Sequence, residues 1–322
     1  MSSAAPPVLE CSGLRKSFGG RLAVDGVGFC IGEGEVYGLL GPNGAGKTTT
    51  MRMLTTFLPP TSGRAVLSGH DVLDESLEVR RKVGYLPENV PLYHEMRVRE
   101  YLTFRAKLKD VPRSRRRAEI ARVIARCQLG EVEDRILGQL SKGYRQRVGL
   151  AEAMVRDPDI LILDEPTAGL DPLQIREVRA LIRELGDRHT ILLSTHVMTE
   201  VEAVCGRVII IAKGRIALDD RLDRLQAENA IAVEARGPAE AIRAVLEKVP
   251  GTEKVILTGR DGDHAAFKVQ ARGGADLREE LATRLFQNGW PVRRLDLKRT
   301  TLEDRFIQAV AQEELAADAE AA

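Results

Sequence analysis

The 322-residue sequence is short of several features, and each shortage excludes something. It has four cysteines, Cys11, Cys30, Cys127 and Cys205, and none falls in a C-x-x-C pair. That argues against a zinc site or a disulfide frame and for reduced thiols in a cytosolic protein. The five histidines are scattered without metal-ligand spacing. Neither sign of charge dominates, with 48 Lys plus Arg against 47 Asp plus Glu. No global basic field therefore favours nucleic acid, and no strong acidity favours disorder. Long apolar runs are missing as well: "VIIIA" at 208–212 is far too short to span a bilayer. The opening "MSSAAPPVLE" has no basic segment followed by an apolar run, so no signal peptide is expected. The chain is not expected to cross a membrane by itself, which leaves open a partner that does. What is present, 43% apolar and 30% charged residues, suits a soluble protein with a real core and room for two domains.

Residues 8–40 alternate short apolar runs with glycines and read as strands joined by tight turns. From Lys47 to Leu58 the pattern becomes helical, with Leu54, Phe57 and Leu58 on one face, and Pro59-Pro60 is expected to stop the helix. Residues 97–157 read as mostly helical. "DILILDE" and "HTILLSTH" read as buried strands on either side of the helical "PLQIREVRALIREL". Strand, helix, strand implies parallel pairing through a right-handed crossover. After about residue 217 the texture changes. A linker over 218–230 is expected, then β-α-β-β-α-β and a final helix over 231–310, the ferredoxin-like order, with "GRDGDH" as a hairpin turn. The last residues, 311–322, are expected to be a flexible tail.

The chemistry is concentrated in a few motifs. "GPNGAGKT" fits G-x-x-x-x-G-K-[ST] and sits between an apolar strand and a helix, the setting of a phosphate-binding P-loop. In it Gly41, Pro42, Asn43, Gly44, Ala45 and Gly46 turn the backbone so that amides point at phosphates, and the helix N-terminus adds its positive end. Lys47 brings an ammonium to the β- and γ-phosphates, Thr48 offers a hydroxyl to Mg²⁺, and Thr49 follows in the first turn. "ILILDE" at 160–165 ends a buried strand in two carboxylates, and buried charges need partners. Asp164 is the candidate Mg²⁺ ligand and Glu165 the candidate base for an attacking water. The cofactors expected are thus ATP and Mg²⁺.

A P-loop with an acidic strand describes kinases, GTPases, helicases and transport ATPases alike. A second glycine turn, "LSKGYRQR" at 140–147, discriminates among them. Ser141 and Gly143 lead into a helix, and a helix start with a hydroxyl and a glycine amide can hold an anion. Two such loops on different lobes of one chain do not easily reach one γ-phosphate. Two chains arranged head to tail can, which predicts a symmetric dimer with shared sites.

At this point the sequence resembles a family. "LSKGYRQR" is similar to the "LSGGQ" signature of ABC ATPases. In order along the chain, "GPNGAGKTT", "GYLPE" at 84–88, the signature, "ILILDEPT", "AGLDP" at 168–172 and "STH" at 194–196 match its motifs. The resemblance covers residues 8 to about 217. It implies an α/β P-loop core of ABC type with an antiparallel β-subdomain and a helical lobe near 89–157, followed by the small α+β ferredoxin-like domain. It also implies that Phe18 stacks on adenine, that Asp171 organises the dimer contact and that His196 contacts the γ-phosphate. Glu88 stands where most relatives have glutamine, in the loop that touches Mg²⁺ and the membrane partner. Lys142 and Tyr144 replace a glycine and a glutamine of the signature. The "GYLPEN" and "LSKGYRQRVGLA" motifs with the later "TTLEDRFI" look like ABC-2-type exporters, similar to gliding-motility ATP-binding subunits. The implied protein is a peripheral ATPase on the inner face of the cell membrane. It works as a homodimer on a separately encoded integral membrane permease that docks near Glu88–Met96.

Blander readings compete at several positions. His196 could be a surface residue after a strand, and Phe18 could be core. Arg113, Arg115, Arg116 and Arg117 read as a solvated helix face, because Glu119 follows and no aromatics interleave. The ferredoxin-like domain has only Phe267 on its two middle strands, too few aromatics for an RNA-binding sheet, so no nucleic acid is expected. The alternative function is a soluble ABC ATPase acting on ribosomes or DNA.

Overall fold

The computed structural model describes residues 6–227, 230–298 and 301–321. The chain divides into a first unit that runs to Asp219 and is rejoined from Ala309, and a second unit, Asp220–Gln308.

The first unit is built on two sheets. Arg21–Ile31, Leu9–Phe18, Ser62–Leu67 and His70–Asp71 lie side by side in that order, all antiparallel. The second sheet runs Arg215–Arg221, Arg207–Ala212, Val36–Leu40, Thr190–Thr195, Ile160–Asp164, Val83–Leu86, with parallel pairing from Arg207–Ala212 through Val83–Leu86. Its central strands are continuous apolar runs because both faces are covered. Side chains alternate along a strand. Accordingly Ile160, Ile162 and Leu192 enter one core with Leu39, Met51 and Leu67, while Leu161, Leu163 and Leu193 enter another with Leu102, Ile124 and Leu150. The second core belongs to the helical lobe, whose helices are Val98–Leu108, Arg113–Arg126 and Lys142–Met154. The functional loops leave the carboxyl ends of the parallel strands, as open α/β sheets require.

The helix after the P-loop stops at Leu54, earlier than expected. Thr56 takes a left-handed conformation, and the amides of Phe57 and Leu58 both bond the Arg52 carbonyl. Leu54 is buried but Phe57 is exposed, so the apolar spacing at 54, 57 and 58 marks a turn rather than a helix face. Burial pushes the Cys11 and Cys127 thiols up to about 12, consistent with inert thiols, and all four cysteines are free.

The second unit has the predicted β-α-β-β-α-β order: Ala230–Arg236, Ala239–Glu247, Thr252–Asp261, His264–Ala271, Arg278–Gln287 and Val292–Lys298. Its sheet is wholly antiparallel in the order Thr252–Asp261, His264–Ala271, Ala230–Arg236, Val292–Lys298. Ile231, Val233, Phe267 and Val269 pack with Ile242, Leu246, Leu281 and Leu285 from its two helices. Phe267 is therefore core.

Two expectations at the margins are corrected. The stretch expected as a linker carries strand to Arg221 and helix over Leu222–Ala227, so it is ordered where described. The expected tail continues the helix Leu302–Ala321. The remainder of the linker reading (228–229), the link at 299–300, the last residue and the first five residues of the opening segment lie outside the described residues.

Candidate nucleotide site

The P-loop turn is possible only because two of its glycines lack a side chain. A Cβ on Gly41 would lie 2.4 Å from the Ile211 carbonyl oxygen. Gly46 has φ +104°, and a Cβ there would lie 2.6 Å from the Ala23 oxygen. The Lys47 ammonium donates to the carbonyls of Gly41 at 2.8 Å and Pro42 at 3.2 Å, and it lies 3.5 Å from Glu165 Oε1. Lys47 and Glu165 are both buried. The loop thus holds its own cation over its mouth, where a triphosphate would compete for it.

The two carboxylates do different things. Asp164 Oδ1 accepts from Ser194 Oγ at 2.5 Å and Thr48 Oγ1 at 3.3 Å, while Oδ2 is buried with no protein partner. Burial is the main cause that raises the Asp164 pKa; the Ser194 and Thr48 hydrogen bonds oppose it, and the Glu165 and Glu88 charges add to it. A buried carboxylate oxygen left bare beside a threonine hydroxyl fits a hard cation. Among the described residues no three His, Cys, Asp or Glu side chains form a self-sufficient metal site. Mg²⁺ commonly takes one or two protein carboxylates and completes its shell with water and phosphate oxygens, so the residues present fit it.

Glu165 leaves the strand with φ 49°, a left-handed conformation that is costly for a non-glycine residue. Its amide donates to the Ser194 carbonyl at 3.1 Å. The turn aims the carboxylate so that Oε2 lies 2.9 Å from His196 Nδ1.

One cavity of about 410 Å³ collects Asn43, Gly44, Gly46, Lys47, Thr48, Thr49, Glu88, Glu165 and His196, together with Ala23 and Ala168. Gly41, Pro42 and Ala45 do not line it; Gly41 and Ala45 are buried and Pro42 is exposed. Phe18 is not in that lining. It is half-exposed at the end of its strand with the Lys16 ammonium 5.4 Å from its ring, so the core reading of Phe18 is excluded.

Ser141, Gly143 and Asp171 line a separate cleft with Tyr144, Gln174 and Glu177. Ser141 Oγ caps the helix Lys142–Met154 by accepting from the Tyr144 amide. Asp171 Oδ1 caps Pro172–Gly186 by accepting from Leu173 and Gln174. Gly143 is covered by Gln174: a Cβ would lie 2.8 Å from Gln174 Cδ. The P-loop half and the signature half are thus two surfaces of one chain.

Ser194 and Gln174 were not singled out by the sequence. Ser194 was legible in principle, since "STH" places a hydroxyl two residues before His196. Gln174 carries no local signal, because its role arises from the packing of one helix start on another.

Residues 24–168 match the protein family described as "ABC transporter". The chain is 34% identical, over 94% of its length and 99% of the relative's, to the uncharacterized ABC transporter ATP-binding protein YxlF of Bacillus subtilis. It is 33% identical, over 95% and 93%, to the daunorubicin/doxorubicin resistance ATP-binding protein DrrA of Streptomyces peucetius. Among solved structures, cbiO1 of Clostridium perfringens, part of the ABC transporter complex cbiONQ, superposes with a TM-score of 0.62 at 28% identity. That match covers 76% of this chain and 97% of cbiO1. This chain belongs to the ATP-binding proteins of ABC transporters. It is an ATPase subunit, and no helix among the described residues is long and apolar enough to cross a membrane.

Proposed function

We propose that two copies of this chain close head to tail on two ATP molecules, each held by the P-loop of one copy and by Ser141 and Gly143 of the other. The observation that carries this reading is the separation, within one chain, of the P-loop cavity from the cleft that holds the signature. Lys47 binds phosphate, and Phe18, exposed beyond the cavity, is free to stack on adenine. Thr48 and Asp164 would hold Mg²⁺, with Glu88 facing the same space, and the ion supplies charge neutralisation at the phosphates. Glu165 takes the proton of the attacking water, and His196, fixed to Glu165 through Nδ1, turns its other ring nitrogen toward the γ-phosphate. Asp171 shapes the loop at the contact between copies.

Hydrolysis drives a separately encoded permease, and docking on that permease places this subunit on the inner face of the membrane. The docking surface is a groove of about 740 Å³ between the helical lobe and the core, which includes Asn89 and Pro91 of the expected docking loop. Exposed Phe57, Leu77 and Leu108 line it, and Arg80 and Arg81 flank them, so a short amphipathic segment with acidic residues fits. The DrrA resemblance favours a drug as cargo.

Sedimentation of the Glu165→Gln protein tests the dimer. MgATP is expected to convert it from monomer to dimer, and Ser141→Arg is expected to prevent this. A protein that stays monomeric with saturating MgATP overturns the reading. Reversing Arg80 and Arg81 to Glu is expected to abolish co-purification with the permease while leaving ATP binding intact; retained co-purification excludes the groove.

A further inference from the structure

Glu200 plays no part in the site as described above, yet it is among the most deeply buried charged residues of the chain, at 3% exposure. It lies in the helix Met198–Val204 and does not line the nucleotide cavity. Both oxygens are occupied. Thr167 Oγ1 donates to Oε1, and Thr195 Oγ1 donates to Oε2 at 2.7 Å. The two threonines are buried; Thr167 lies in the turn after the strand Ile160–Asp164, and Thr195 ends the strand Thr190–Thr195. Thr167 is two residues after Glu165, in the turn where the Ala168 amide bonds the Glu165 carbonyl. Thr195 directly precedes His196, and its hydroxyl also accepts from the Val197 amide at 3.0 Å, which fixes the turn that carries the histidine. A third element arrives through Arg179, whose guanidinium is 3.8 Å from Oε1 and donates to Thr199 at 3.2 Å. Arg179 belongs to the helix that Asp171 caps.

We infer that Glu200 is a positioning residue: through Thr167 and Thr195 it holds the Glu165 turn and the His196 turn in the register that brings Oε2 and Nδ1 to 2.9 Å. The inference rests on the catalytic reading of Glu165 and His196. The physical reason for a charged clamp is direct. A carboxylate is a double acceptor of fixed width, so it sets the spacing of two hydroxyls as a single apolar contact would not, and charge-assisted bonds are the stronger kind. Glu165 sits in a left-handed conformation that its surroundings must enforce, and the Thr167 tether lies on the carboxyl side of that strained residue. Small errors there are expensive, since a displacement of about 1 Å can cost on the order of 10²-fold in rate.

The test is a cycle in the full-length protein, read by single-turnover ATP hydrolysis followed over hours, nucleotide affinity and melting temperature. Glu200→Gln, which fills the same volume but cannot accept from both threonines, is expected to lower the hydrolysis rate by about 10-fold or more while affinity changes by less than about 2-fold. Glu200→Asp, which keeps the charge but shortens the reach, is expected to fall between wild type and Gln. In a Glu165→Gln background the same Glu200→Gln change is expected to cost clearly less than in the wild type, because one of the two residues it positions no longer acts. An equal loss in both backgrounds, or an unchanged rate in Glu200→Gln, overturns the positioning role. Should Glu165→Gln itself hydrolyse at nearly the wild-type rate, the failure belongs to the catalytic assignment of Glu165 instead.

Discussion

Replacing Glu165 by Gln removes one charge and almost no volume from a buried site, which makes its consequences calculable. In the native arrangement the carboxylate has Lys47 Nζ at 3.5 Å on one oxygen and His196 Nδ1 at 2.9 Å on the other. Two unit charges at that first distance attract by on the order of 5 kcal/mol at an effective dielectric near 20, most of which desolvation of the buried pair offsets. The Lys47 ammonium keeps its bonds to the Gly41 and Pro42 carbonyls when the charge is gone, so the loop is expected to hold its shape. Without a competing carboxylate, that ammonium is more available to phosphate. ATP affinity should therefore stay level or rise, by up to about 10-fold, and not fall. Turnover loses its base and should drop by about 10²–10⁴-fold. Equilibrium binding of a fluorescent ATP analogue and single-turnover hydrolysis measure the two quantities on the same preparation. Weakened binding would refute the account of Lys47, and a near-normal rate would remove Glu165 from the mechanism.

Gly143→Ala places a methyl 2.8 Å from Gln174 Cδ; turnover is expected to fall by about 10-fold. The Gly143→Ala/Gln174→Ala pair should recover part of it, and a double variant as slow as the single one would show that Gln174 is not the obstacle. Glu152 is buried between Arg105 at 2.6 Å and Lys109 at 2.8 Å. Burial pushes its pKa up, but the Lys109 and Arg105 charges outweigh this and hold it below the usual range. Glu152→Ala strands two cations against the helical lobe. Since both are partly exposed, the cost expected from denaturant unfolding is at the low end of about 3–5 kcal/mol. His189 is buried with Nδ1 donating to the Pro158 carbonyl at 3.0 Å, and burial lowers its pKa. A depressed histidine favours the neutral form in the folded state, so its stabilisation is complete above the unfolded value of about 6.5 and is lost as pH falls through the folded one. Melting temperature should fall with acidification in that window, and His189→Asn should flatten the profile.

The sequence by itself determined what is local. The P-loop, the acidic strand, the signature turn and the β-α-β-β-α-β order of the second unit could all be read because each depends on neighbours within a few residues: a glycine where φ must be positive, apolar alternation, a cap before a helix. It failed where a distant partner decides. The apolar spacing of Leu54, Phe57 and Leu58 suggested a helix face, but the left-handed turn at Thr56 ends the helix and leaves Phe57 in a groove. Only the tertiary structure decided that Asp164 keeps one bare oxygen, that Gln174 covers Gly143 and that Glu200 joins Thr167 to Thr195. Most of those facts join side chains some thirty residues apart, fixed by parallel strands packed in a set order, and no short stretch of sequence encodes them.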